Sequence, residues 1–197
     1  SRLAIDDIVY ESAHFLVATG ARPRPLDFPG HEHLIDSTAF LQLDDLPRRV
    51  VFVGGGFVSF EFAHIAARAG AQPVIVDRGV RPLKRFDPDL VDLLVARGSQ
   101  VGIDMRPQTT VSAIEPIGSA YRVAIDTAGE LDEIETDLVV HGAGRTPELS
   151  KLGLDTANVA HTVEGVTVAS HLQSTTNPAV YAAGDAGNTP GMPLTPV

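Results

Sequence analysis

The stretch best equipped for chemistry is Gly54-Gly55-Gly56-Phe57-Val58-Ser59, which reads G-x-G-x-x-S. It follows the apolar run Val50-Val51-Phe52-Val53 directly and opens a segment rich in Ala, Phe and Ile, an order that predicts strand, turn and helix. In such a turn Gly54 permits the tight bend and Gly56 lets a pyrophosphate approach the backbone. Ser59 is small enough for the helix to lie on the strand. The helix N-terminus adds free N–H groups and a partial positive charge for the phosphates. The alternative is a glycine-rich turn in some other α/β protein. A second strand, Val74-Ile75-Val76, delivers Asp77, 23 residues beyond Gly54. That is near the roughly 20 residues expected for an acid that accepts ribose hydroxyls. A carboxylate there repels a 2′-phosphate and favours NAD. Arg78, Arg81, Lys84 and Arg85 follow closely. They would suit a phosphate, or form a solvated basic loop, so NADP stays open.

Other apolar runs also end in glycine or acid. Phe15-Leu16-Val17-Ala18 leads into Thr19-Gly20, Leu138-Val139-Val140 into His141-Gly142-Ala143-Gly144, and Ala179-Val180-Tyr181-Ala182-Ala183 into Gly184-Asp185. Such runs read as strands buried on both faces, as in parallel sheets. Helices are predicted over Phe57 to Ala69, stopping at Gly70 and packed between layers, and over Leu90 to Ala96, with Pro88 near the start and Gly98 after the end. From Thr109 to Thr136 apolar and polar residues alternate, which reads as an antiparallel meander. Arg22-Pro23-Arg24-Pro25 is expected to be extended. The fold class is α/β, a Rossmann-like parallel sheet with a meander beside it.

The bulk numbers narrow the field. The chain has 197 residues, 44% of them hydrophobic and 20% charged, enough for a sizeable core. A net charge of −10 argues against nucleic acid or an anionic membrane surface as partner. With no cysteine the chain holds no disulfide, thiolate zinc site or thiol nucleophile. No apolar run is long enough for a membrane helix and no signal peptide opens the chain, so the expected compartment is the cytoplasm. His31-Glu32-His33 lacks further ligands at a usual spacing and reads as a solvated loop, so no metal is expected.

Taken together the motifs resemble the two-dinucleotide flavoproteins, the pyridine nucleotide-disulfide oxidoreductase family of glutathione reductase, dihydrolipoamide dehydrogenase and mercuric reductase. Ala18-Thr19-Gly20-Ala21-Arg22-Pro23 is similar to the A-T-G-x-x-P segment, and Gly54 to Glu61 to the nicotinamide-cofactor turn. Gly142-Ala143-Gly144-Arg145-Thr146-Pro147 is similar to the G-R-x-P junction. Tyr181 to Asp185 resembles the second flavin motif, and Pro193 to Val197 the start of the helix after it. The resemblance implies an NAD(P)-binding domain over 34–144, inserted into a discontinuous FAD-binding domain represented by 1–33 and 145–197. It also implies an incomplete chain. The first flavin motif and a C-x-x-x-x-C pair would precede Ser1, and a C-terminal interface domain with a His–Glu pair would follow Val197, so no catalytic residue is expected here.

The resemblance also assigns roles. Asp185 would hold the flavin ribityl hydroxyls, with Gly184 allowing close approach; the plain reading is a Gly-Asp turn. Thr19 and Gly20 would lie along the flavin, or simply end a strand. Arg145 would reach the flavin from the junction, or cap and pair locally. Gly144 would belong to the nicotinamide nucleotide site. Glu61 would bond the nicotinamide carboxamide and pair with a flavin-domain lysine outside this chain, or be a surface acid. Phe57 would gate the flavin, or be core. The implied cofactors are FAD and NAD, with NADP possible. The implied function is hydride transfer from nicotinamide to flavin and on to a small-molecule disulfide, by a homodimer of which this piece alone is inactive. The competing class is an NAD-binding sensor without redox chemistry. A short-chain dehydrogenase is excluded because no tyrosine has lysine four residues on, and P-loop and G-x-S-x-G motifs are absent.

Overall fold

The computed structural model describes residues 2–189. They fall into two compact units, residues 23–144 and residues 2–22 with 145–189.

In the first unit, a short helix α1 (Ser37–Leu41) starts at Asp36, whose carboxylate accepts the Ala39 N–H at 2.9 Å. Then come β1 (Arg49–Val53), α2 (Phe57–Arg68), β2 (Gln72–Val76), α3 (Pro88–Gln100) and β3 (Asp104–Arg106). The meander follows as β4 (Thr109–Ile117), β5 (Ala120–Thr127) and β6 (Glu130–Thr136), and β7 (Leu138–His141) closes the unit. The parallel sheet has the order β7-β1-β2-β3, and the antiparallel sheet the order β6-β5-β4. The chain therefore leaves β1 toward β2 and β3 on one side and returns on the other as β7. This is the reversal of direction at which open α/β sheets bind ligands.

Period-two alternation explains how one strand serves two cores. Val50 and Phe52 of β1 pack with Phe60, Phe62 and Ala63 of α2 and Val91 of α3. Val51 and Val53 pack on the other face with Val111, Ile114, Val123 and Ile125 of the meander. These β1 side chains are almost wholly excluded from water, each stabilising the fold by about 1.5–3 kcal/mol relative to exposure. At the amino end, Arg49 bonds the carboxylates of Asp137 and, at 2.8 Å, Glu135, tying the exit of the meander to β1. Hydrogen bonds to Asp137 and then to Glu135 raise the Arg49 pKa, and the side-chain hydrogen bond from Arg49 holds the Asp137 carboxyl below its ordinary value.

Three expectations need correction. Helix α3 does not end before Gly98; it runs to Gln100 with Gly98 buried, where even a Cβ would find only ordinary contact with Ile103 at 3.5 Å. Helix α2 leaves one side in water: Glu61, Ile65 and Arg68 are exposed, while the rest packs on the sheet and on α1, where Phe62 stacks on Phe40. The strand Phe15–Val17 is not buried on both faces, since Leu16 is 63% exposed. In addition, a hairpin of Arg2–Ile5 with Ile8–Glu11 forms where no strand was expected.

In the second unit, Phe15–Val17 runs parallel to Val180–Ala182, and the strands Ala21–Pro23 and Arg145–Pro147 form a two-stranded sheet. Leu154, Val159, Val166 and Val180 form its core. The Pro193–Val197 motif lies outside the described residues.

Candidate functional site

The carboxyl edge of the parallel sheet carries the glycine turn. Gly54 takes φ +107°, and its N–H donates to the Val76 carbonyl at 2.8 Å, so the turn is bonded to the end of β2. A Cβ on Gly54 would stand 2.4 Å from the Ala143 Cα. On Gly56 it would stand 2.9 Å from the Gly142 carbonyl oxygen. Both glycines are thus required by the close approach of the loop after β7, a reason separate from ligand access. The same approach fixes the other partner. Gly142 faces Ser59, whose Oγ would lie 1.8 Å from a Cβ at 142. Ser59 is fully buried and its hydroxyl has no hydrogen-bond partner among the described residues.

The amides of this turn point to a ligand. The N–H groups of Gly55, Gly56, Phe57 and Val58 donate to no other described residue, as the first N–H groups of a helix do before an anion is bound. Asp77 follows β2, and its Oδ2 would lie 2.6 Å from a Cβ at Gly55. The half-buried carboxylate therefore stands against the turn itself. An unpaired donor row with an acid alongside fits a dinucleotide: the donors match a pyrophosphate, the acid a ribose diol. Of the nearby cations, Arg81 is committed to helix α3, donating to the Pro88 carbonyl at 2.7 Å and to Asp92 at 2.9 Å. Arg78, Lys84 and Arg85 are exposed and form no ion pair among the described residues.

The other expected residues of this unit are less concentrated. Phe57 is half-buried and packs against the α2 core, while Glu61 is exposed one turn further along. Gly144 has φ +101° and its carbonyl accepts the Arg24 N–H at 3.0 Å. His31 bonds the Phe28 carbonyl at 3.1 Å and His33 packs on Tyr121, so these imidazoles serve local structure.

In the second unit the parallel pair delivers Thr19-Gly20 and Gly184-Asp185 to one edge. Gly20 and Gly184 adopt φ +69° and +62°, and Asp185 lies half-buried in a 3₁₀ turn. The Thr19 hydroxyl donates to the Glu148 carbonyl at 2.6 Å, and the Glu148 N–H donates to the Gly20 carbonyl at 2.9 Å. Arg145 donates through Nη2 to the Ala21 carbonyl, and its buried Nε has no partner among the described residues. That orphaned donor, on a side chain bonded to the residue after Gly20, fits an acceptor-rich cofactor such as a flavin. Glu148, which no motif pointed to, ties the two segments together: its carboxylate also pairs with Arg22 at 2.9 Å and accepts from Ser150. Those contacts, the Ser150 hydrogen bond first, hold the Glu148 carboxyl below its ordinary pKa.

Residues 5–197 match the family described as Pyridine nucleotide-disulphide oxidoreductase, and the chain belongs to that family. A glutathione reductase of Burkholderia cepacia is 32% identical over the whole chain, which spans 43% of that protein. A trypanothione reductase of Trypanosoma congolense is 35% identical over 95% of the chain and 38% of its own length. A mercuric reductase of Staphylococcus aureus is 28% identical over 88% of the chain and 32% of its own length. The chain thus spans less than half the length of these relatives. Among solved structures, the HOCl-induced flavoprotein disulfide reductase RclA from Escherichia coli shares the fold, with a TM-score of 0.81 at 24% identity over 91% of this chain and 41% of that one.

Proposed function

We propose that the chain is the nicotinamide-binding part, with pieces of the flavin-binding part, of an FAD- and NAD(P)H-dependent disulfide oxidoreductase. The observation that carries this is the unpaired N–H row of Gly55–Val58 at the sheet reversal, with Asp77 beside it. When bound, the nicotinamide and the flavin supply the hydride transfer. Gly54 and Gly56 shape the turn, the following amides hold the pyrophosphate, and Asp77 accepts the adenosine ribose hydroxyls. Asp77 against the turn, together with the commitment of Arg81 to α3, favours NAD over NADP.

Residues 34–144 are assigned to the nicotinamide domain, and 1–33 with 145–197 to the flavin domain. There Thr19, Gly20, Arg145, Gly184 and Asp185 line the flavin. Arg78 and Gly144 flank the nicotinamide nucleotide, while Phe57 and Glu61 face its reactive end. With no cysteine in the chain, the disulfide-reducing pair belongs to sequence outside it, and the piece alone is inactive. The whole protein is proposed as a cytoplasmic homodimer acting on a small disulfide. The reductase names of the relatives favour this over a sensor without redox chemistry.

Calorimetric titration of the chain with NADH and with NADPH tests the reading. NADH should bind and NADPH more weakly, and Asp77→Ala should weaken NADH selectively. Equal affinity or an NADPH preference overturns the role of Asp77; no binding of either overturns the site.

A further inference from the structure

The loop between β2 and α3 is not a free connection. It folds back over the glycine turn, and Leu83 is where it lands. The Leu83 N–H donates to the Gly55 carbonyl at 2.9 Å, and its side chain is buried in the α2 core cluster. Leu83 holds φ +49°, a conformation a leucine adopts at a cost and only where its surroundings impose it. The loop is held at its other points too: Gln108 N–H bonds the Gly79 carbonyl at 3.0 Å, Phe86 N–H bonds the Leu83 carbonyl at 2.9 Å, and Arg81 is bonded to α3.

The bond to Gly55 has a geometric consequence. In a trans peptide the carbonyl and the next N–H point in opposite directions. Fixing the Gly55 carbonyl toward Leu83 therefore aims the Gly56 N–H, one donor of the unpaired row, away from the loop. We propose that Leu83 is a positioning residue for that row: it sets the Gly55–Gly56 peptide plane, so that the anion-binding amides are oriented before the dinucleotide arrives. This rests on the proposed function above. The gain is preorganisation, since a turn left free to rotate would lose that freedom on binding.

The test uses amide hydrogen exchange of the chain with and without NADH, followed by NMR. NADH should slow exchange at Gly55–Phe57 and, by about tenfold, at the Leu83 amide, because stabilising the peptide plane closes the loop. Slowing at the turn with Leu83 unchanged overturns the inference and leaves the site intact. No slowing at either overturns the site. Leu83→Gly is the companion variant: it tolerates positive φ and keeps the N–H but removes the buried anchor. Its NADH dissociation constant should rise about tenfold, with Leu83→Met restoring most of the loss. Unchanged affinity in a folded Leu83→Gly overturns the role of Leu83. If that variant fails to fold, the exchange result on the unaltered chain decides alone.

Discussion

The carboxylate of Asp77 and the backbone of Gly55 share one van der Waals boundary: a methyl group on Gly55 would meet Oδ2, Cγ and Cβ of Asp77 at 2.6–2.9 Å. The residue proposed to read the ribose is thereby registered against the turn proposed to hold the diphosphate. Gly55→Ala must push Asp77 aside. The chain should stay folded, while the preference for NADH over NADPH falls by about tenfold, the loss of one well-placed polar contact. Parallel titrations of parent and variant with both nucleotides check this.

Ser59 and Gly142 form a second tight pair. Gly142→Ala drives a methyl into the buried Ser59 hydroxyl and should destabilise the chain by about 1–3 kcal/mol. Adding Ser59→Gly should recover a large part of that, because the clash is with the serine side chain. Urea unfolding of the two single variants and the double variant measures the coupling, and additive losses would refute it.

Much of this site was legible in the sequence, and the reason is physical. A strand buried on both faces must be apolar throughout, and a turn at φ +107° with a backbone pressed against it favours glycine, so Val50–Gly56 carries its fold on its surface. The Asp77 position follows from the apolar run Val74-Ile75-Val76 that ends there and from its spacing of 23 residues from Gly54. The remaining features depend on pairings the chain makes at a distance. Gly142 was visible only as part of a junction motif, since its partner Ser59 is 83 residues away. Leu83 lies in a loop rich in basic residues, where a single buried leucine has no periodicity to betray it. Gly98 reads as a stop because glycine so often follows a helix, yet here the helix continues through it for two more residues, to Gln100. The Arg2–Glu11 hairpin is exposed along its length, so no buried face marked its register.

Acid should loosen the Arg49 clamp. The Asp137 carboxyl sits below its ordinary pKa in the folded chain, so its stabilising effect is present above about pH 4 and is lost as pH falls through the lowered folded value. Melting midpoints measured downward from pH 6 should drop more steeply in the parent than in Asp137→Asn. Superimposable profiles would show that the clamp is incidental.

His64 should act in a different window. Burial, and then the charges of Arg68 and Arg97, lower its pKa, so the folded chain favours the neutral ring. Stability is then full above about pH 6.5 and declines as pH falls, because the unfolded chain takes up the proton first. His64→Leu should flatten the melting profile between about pH 5 and 7. A slope unchanged by that substitution would assign the effect to another group.

The alternation along β1 makes that strand a partition. Val50 and Phe52 face the helices while Val51 and Val53 face the meander. Adjacent positions in one strand therefore answer to different neighbours. The glycine corner at the strand's end is pinned from both flanks at once, by the Val76 carbonyl and by the close approach of Ala143.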